Sequence, residues 1–217
     1  MTDLINKQTL SEQIYKILRT DILTQEIKSG QKLTLQSLKD RFKVSHTPIR
    51  DALTRLVEDD LVIYYSNVGI TVVSLSENDA REIFQLSGDL DCLAMRYCCA
   101  GSRKETFLAE MDDIVNRSAK YLTKKQYKQW GDLSDHFHLI MYQYADNTRL
   151  ERAAQKLRAQ ITLLSNLYQL ENNYVEQIQN EHELVNQLLQ DGKIEEAIKC
   201  MREHLDHDMT YAIEAIG

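Results

Sequence analysis

Proline occurs once, at Pro48, in 217 residues, and glycine only seven times. Sandwiches and barrels need frequent turns, and turns draw heavily on these two residues. A chain so poor in both is constrained toward long helices with few interruptions. Its hydrophobic share, 43%, is that of an ordinary globular protein and too high for whole-chain disorder. No apolar run nears the ~20 residues of a membrane helix. The opening stretch, MTDLINKQTLSEQ, has no apolar signal core. A cytoplasmic protein with no membrane partner is expected. Cys92, Cys98, Cys99 and Cys200 form no C-x-x-C pair, which excludes zinc ribbons and thioredoxin-like motifs and leaves small buried thiols.

Leu10, Ile14, Ile17, Leu18, Ile22 and Ile27 fall at helical spacing, which predicts a first helix over 10–27, closed by Ser29-Gly30. A short helix follows from Thr34, with Leu35, Leu38 and Phe42 inside. Ser45-His46-Thr47-Pro48 opens a third, because Ser and Thr cap well and proline is tolerated in a first turn. That helix runs to about Glu58 and buries Ile49, Leu53 and Leu56. The β-branched and aromatic runs 61–65 and 70–74, around Ser66-Asn67-Val68-Gly69, predict a hairpin. Three helices and a hairpin is the order of a winged helix-turn-helix, and also of a generic small α+β domain.

The remainder reads as helix throughout. Ser76 with Asp79 caps a helix to about Ala100. Ser102-Arg103-Lys104-Glu105 and Thr123-Lys124-Lys125-Gln126 read as capping boxes, for helices ending near Tyr121 and Tyr144. Asn147 opens a helix to about Leu170, and Asn173 one to Leu189. Asp191-Gly192 breaks the chain before a last helix from Lys193 to about Ala215. The predicted fold is mainly α, with a winged helix-turn-helix domain over 1–76 and an antiparallel bundle of about six helices over 77–217.

Charge divides the chain in the same place. Residues 1–76 carry a net +1 and residues 77–217 a net −8, within a total of −7. Lys39, Arg41, Lys43, Arg50 and Arg55 crowd one segment against only Asp40 and Asp51. A locally basic segment on an acidic chain is the footprint of a small nucleic-acid reader joined to a different module.

Several stretches carry a resemblance. They are Ile27-Lys28-Ser29-Gly30-Gln31-Lys32-Leu33, then Leu38 to Val44, then Ser45-His46-Thr47-Pro48-Ile49-Arg50-Asp51-Ala52-Leu53, and Arg55-Leu56. Glu58-Asp59-Asp60-Leu61-Val62 and Gly69 continue it. Together they resemble the DNA-binding domain of the GntR superfamily of bacterial transcription regulators. Phe137-His138, Ala145-Asp146-Asn147, Glu181-His182 and the run from Gly192 to His204-Leu205 are similar to the FCD ligand-sensing domain of its FadR branch. The two resemblances follow the family's order.

The resemblance implies a double-stranded DNA operator contacted by Arg50 at the start of the recognition helix. Ser45, Thr47 and Lys43 would hold phosphate, and Gly69 would stand at the wing tip. His46 replaces the family's usual arginine, and a neutral histidine cannot grip guanine bidentately. Val68 replaces a usual basic residue, which weakens the expected wing contact. Asp60 stands where the family usually has glycine.

In the helical domain the resemblance implies a homodimer and a small-molecule effector, an organic acid in typical members. It also implies a divalent transition metal, zinc or nickel, held by His138, His182 and His204. The family's carboxylate ligand falls on Ser134, and Asp135, offset by about 100°, is the nearest substitute. Ser87 occupies the place of an arginine that faces the effector, with Arg158 as its substitute. Ser87, Ser134 and Arg158 would thus line the effector site. A regulator without enzymatic activity is the leading expectation, and a helical metal hydrolase using the three histidines is the alternative. No H-E-x-x-H and no phosphate-cradling glycine loop supports the latter.

Overall fold

The computed structural model describes residues 8–65, 69–168 and 172–217. Over these residues the chain is mainly helical, and it divides into two units, 1–75 and 76–217.

The first unit comprises α1 (Leu10–Leu23), β1 (Lys32–Leu33), α2 (Leu35–Phe42), α3 (His46–Glu58), β2 (Val62–Tyr65) and β3 (Gly69–Val72). Thr9 caps α1 by accepting the Glu12 N–H. Ile14, Leu18 and Ile22 of α1 bury against α3, whose inner face is Ile49, Ala52, Leu53 and Leu56. Each large aliphatic side chain buried this way contributes roughly 1.5–3 kcal/mol. Helix α1 stops at Leu23, short of the expected Ile27, because Gln25 turns into the left-handed region at φ 59°. Ile27 stays buried all the same.

The end of α3 explains Asp60. Its φ is 55°, its N–H donates to the Val57 carbonyl, and the Leu61 N–H donates to the Leu56 carbonyl. This paired closure requires a left-handed residue, for which glycine is the usual choice. Aspartate enters that region more readily than most side chains.

A two-residue strand, β1, was not legible in the sequence, being too short for a period-two pattern. It pairs antiparallel with β3, Lys32 opposite Thr71, and the sheet order is β1-β3-β2. The β2–β3 register runs from Val62 opposite Val72 to Tyr65 opposite Gly69. Val68 and the rest of the hairpin loop lie outside the described residues.

The second unit comprises α4 (Glu77–Ala100), α5 (Lys104–Thr123), α6 (Tyr127–Tyr144), α7 (Thr148–Tyr168), α8 (Asn172–Gln190) and α9 (Ile194–Ile216). Ser76 and Asp79 form the expected reciprocal capping box, and the Asn147 side chain accepts the Arg149 and Leu150 N–H groups. The other two expected boxes are absent: Arg103 and Gln126 cap α5 and α6 without a side-chain bond. Thr123-Lys124-Lys125-Gln126 is a stop rather than a start. Lys125 sits at φ 55°, its N–H bonds the Leu122 carbonyl, and the Gln126 N–H bonds the Tyr121 carbonyl. The same closure ends α8, with Gly192 at φ 74°. Helix α4 packs along α9 and also touches α6 and α7. Phe84, Met95, Phe107, Trp130 and Phe137 are fully buried in this core.

Candidate functional site

In the first unit the turn into α3 presents an exposed polar face. Ser45 holds the N-cap position but makes no side-chain cap bond, so its hydroxyl is not spent on the helix. Lys43, Ser45, His46, Thr47 and Arg50 are all exposed. Arg41 is tied to Asp21 at 2.6 Å and lies over the Phe42 ring. Arg55 is tied to Glu12 and lies over the Tyr15 ring. Lys39, Lys43 and Arg50 have no ion-pair partner among the described residues. Two of the five clustered cations thus hold the unit together, and three remain available. A groove of about 640 Å³ runs between α3 and the sheet, with Arg50, Thr54, Lys32, Tyr64 and Gly69 on its walls.

In the second unit three histidines from three helices converge: His138 of α6, His182 of α8 and His204 of α9. One nitrogen of each lies within 4.8 Å of the others, and all three rings are buried. His204 Nε2 is 3.1 Å from His182 Nε2 and 3.4 Å from His138 Nε2. Tetrahedral bonds of ~2.0–2.1 Å from one ion would place nitrogens roughly 3.3 Å apart. Imidazole nitrogen suits zinc or nickel, so the donor set and its spacing fit such an ion.

The outward nitrogens are anchored. His138 Nδ1 lies 2.8 Å from Asp91 Oδ2, and His204 Nδ1 lies 2.8 Å from Glu181 Oε2. Glu181 also bonds the half-exposed His207 through Oε1 at 2.7 Å, and Tyr142 donates its hydroxyl to Asp91 Oδ1. Asp208 Oδ2 approaches His204 Nε2 at 3.6 Å. Carboxylates behind the ligating imidazoles are the usual outer arrangement of a metal site.

Burial holds His138 well below its ordinary pKa, with Arg158 and His204 acting in the same direction. It does the same to His182, aided by His204 and then His138. Burial also opposes a charge on His204, but Asp208 and Glu181 outweigh it and the net shift is upward. When protonated, His204 can donate from Nε2 toward the other two Nε2 atoms. Burial pushes Asp91 up to about 6, held back by Arg158 and Tyr142.

Arg158 of α7 is only 6% exposed. Its Nη2 donates to Asp135 Oδ1 at 3.1 Å, while Nε and Nη1 are buried without a partner. Such an unmet buried donor costs about 1–3 kcal/mol. Arg158 lies close enough to act on the charges of Asp91, His138 and His182. Asp135 is not part of the histidine set. It is directed to Arg158 and to the Thr162 hydroxyl, 2.8 Å away, and is only partly buried. Ser87 and Ser134 are both buried, Ser87 one turn before Asp91 on α4 and Ser134 one turn before His138 on α6.

Sequence reasoning missed Asp91, Tyr142 and Glu181. For Asp91 the signal was present: it falls on the buried stripe of α4, between Phe84 and Met95, where a charged residue is out of place. The exposed His207 shares Glu181 with His204.

Residues 82–207 match the family described as FCD domain, and residues 10–72 match bacterial regulatory proteins, gntR family. The chain belongs to the gntR family of bacterial regulatory proteins and carries its FCD domain. It is similar to the HTH-type transcriptional repressor RspR of Escherichia coli, 28% identical over 145 residues that cover 67% of this chain and 63% of that protein. The match thus spans less than two thirds of the repressor's length. The HTH-type transcriptional regulator BphR of Paraburkholderia xenovorans is 23% identical over 94% of this chain and 86% of its own. The fold is that of a GntR regulator from Rhodococcus sp. RHA1, with a TM-score of 0.79 at 16% identity, covering 94% of this chain and 97% of the other. These relatives are named as regulators and none as a hydrolase.

Proposed function

We propose that the chain is a sequence-specific DNA-binding regulator of transcription, acting in the cytoplasm as a homodimer and switched by a small organic acid. The observation that carries this reading is the pairing, within one chain, of two opposite sites. One is an exposed helix start with unspent cations and hydroxyls; the other is a buried three-histidine cluster beside a half-satisfied arginine. Lys43, Ser45 and Thr47 hold phosphate, Arg50 reaches base edges, His46 adds at most a single hydrogen bond, and Gly69 lets the wing approach the duplex.

In the second unit His138, His182 and His204 hold a divalent transition metal, which supplies an electrophilic centre for an anion when bound. Asp91, Glu181 and Asp208 give the pocket a surplus of negative charge over Arg158, which favours a cation there. Arg158 offers its two unpartnered donors to the effector carboxylate, and the buried Ser87 and Ser134 complete the proposed lining. Leu86, Leu93 and Tyr97 are 50%, 37% and 40% exposed and continue through Leu90 along one face of α4. Their four-three-four spacing is self-complementary about a two-fold axis, which sets Leu86 opposite Tyr97 and Leu90 opposite Leu93 of an antiparallel second copy and supports such a copy as the partner.

Fluorescence anisotropy with random genomic duplexes, followed by selection of the tightest, tests the reading. A steep loss of affinity with salt and a complex of two chains per duplex are expected. Monomers in light scattering with no duplex retardation would contradict it.

A further inference from the structure

The carboxylate that the family pattern places at position 134 is a serine here, so one negative charge is missing from the histidine cluster. Asp91, on a different helix, is the carboxylate that stands behind His138. It is 0% exposed, on the face of α4 that otherwise buries Ala80, Phe84 and Met95. A carboxylate is costly to remove from water, and an apolar residue at this point of the stripe would carry no such cost. Its contacts show what the charge faces. Oδ2 lies 2.8 Å from His138 Nδ1, Oδ1 accepts the Tyr142 hydroxyl, and the Arg158 cation lies nearby.

Which imidazole nitrogen carries the proton is set by the hydrogen bond the other makes. A carboxylate is acceptor-only, so a bond from Nδ1 to Asp91 requires the proton on Nδ1. The lone pair then resides on Nε2, which lies 3.4 Å from His204 Nε2 inside the cluster. Tyr142 bonds the other oxygen of Asp91, so the carboxylate is held at both ends and cannot readily swing away.

We propose that Asp91 is the positioning residue of this site: it fixes His138 as the Nδ1–H tautomer and thereby aims the Nε2 lone pair at the point shared with His182 and His204. The carboxylate at Ser134 is replaced by one placed a single hydrogen bond further out. The inner nitrogens that would hold a divalent ion then come from three imidazoles, with Asp208 Oδ2 3.6 Å from His204 Nε2. This rests on the three-histidine metal reading, but the tautomer can be observed without metal.

The test uses the full chain with 15N-labelled histidine, stripped by chelator. Long-range 1H–15N correlation spectra of the wild type should show His138 protonated on Nδ1, and Asp91→Leu should shift it toward Nε2–H. Competition with a zinc indicator should show that Asp91→Leu weakens zinc binding by about 10–100-fold. Tyr142→Phe, which keeps the Asp91–His138 bond, should leave the tautomer unchanged. If Asp91→Leu does not fold, Asp91→Asn retains shape and an uncharged acceptor, and zinc affinity should still fall about 10-fold. A wild-type His138 protonated on Nε2, or Asp91 variants with unaltered zinc affinity beside a zinc-binding wild type, overturns the proposal. A wild type that takes up no zinc yet shows the Nδ1–H tautomer overturns the metal reading and leaves the positioning role supported.

Discussion

The two candidate sites solve opposite problems. At the start of α3, Ser45, Thr47, Lys43 and Arg50 are exposed, and Ser45 spends no side-chain bond on its own helix. Around His138, His182 and His204 the polar groups are buried, and both His138 and His204 are held from behind by a carboxylate. A polyanion brings its own charge and can meet side chains that water has kept mobile. A small ligand in a buried pocket must find its partners already in place, since nothing there can reorganise cheaply. Unspent donors mark the first site, and pre-committed donors, apart from two nitrogens of Arg158, mark the second.

The sharpest way to break the contrast is His182→Gln. Loss of an inner ligand should weaken zinc binding beyond the ~10–100-fold expected for an outer partner. Affinity for non-operator duplex should not change. Calorimetric titration of chelator-stripped protein and anisotropy on the same preparation check both halves, and equal zinc uptake by variant and wild type would remove His182 from the site.

Arg50→Ala acts on the other side of the comparison. It should cost operator binding about 1–3 kcal/mol, roughly 5–150-fold, with thermal stability and zinc uptake retained. Retention of wild-type operator affinity in moderate salt would leave Arg50 a solvated surface charge.

Acidity separates the two sites next. His138 and His182 are held neutral, while the pKa of His204 is raised, so its proton is the one that competes with a cation. Zinc affinity should therefore be pH-independent above the His204 value and fall about tenfold per pH unit below it, as one proton competes. The fall begins above the ordinary histidine value of about 6.5, because the shift is upward. The smallest effect is Lys43→Gln, which should lower the salt slope of duplex binding by about one and affinity by a few-fold, evenly across sequences.

The legibility of each site follows from its layout. Lys43, Ser45, His46, Thr47 and Arg50 lie in eight consecutive residues, so the local pattern already contained the first site. Element order was legible for the same reason, because apolar spacing is a local signal. Helix ends were less so: Thr123-Lys124-Lys125-Gln126 has the composition of a start, yet a left-handed Lys125 makes it a stop. The buried site draws on α4, α6, α7, α8 and α9. The family resemblance pointed to the three histidines but could not show that Asp135 would be taken by Arg158 and Thr162, or that Asp91 would stand behind His138. Those pairings are set by how the helices dock, which no local stretch encodes.

X-ray absorption at the zinc edge of the metal-loaded full chain tests the buried site most directly. The expected spectrum has three imidazole nitrogens at ~2.0–2.1 Å with one further light atom and no sulfur. Scattering from cysteine sulfur at ~2.3 Å, or fewer than three imidazoles, would place the ion elsewhere and contradict a centre built on His138, His182 and His204.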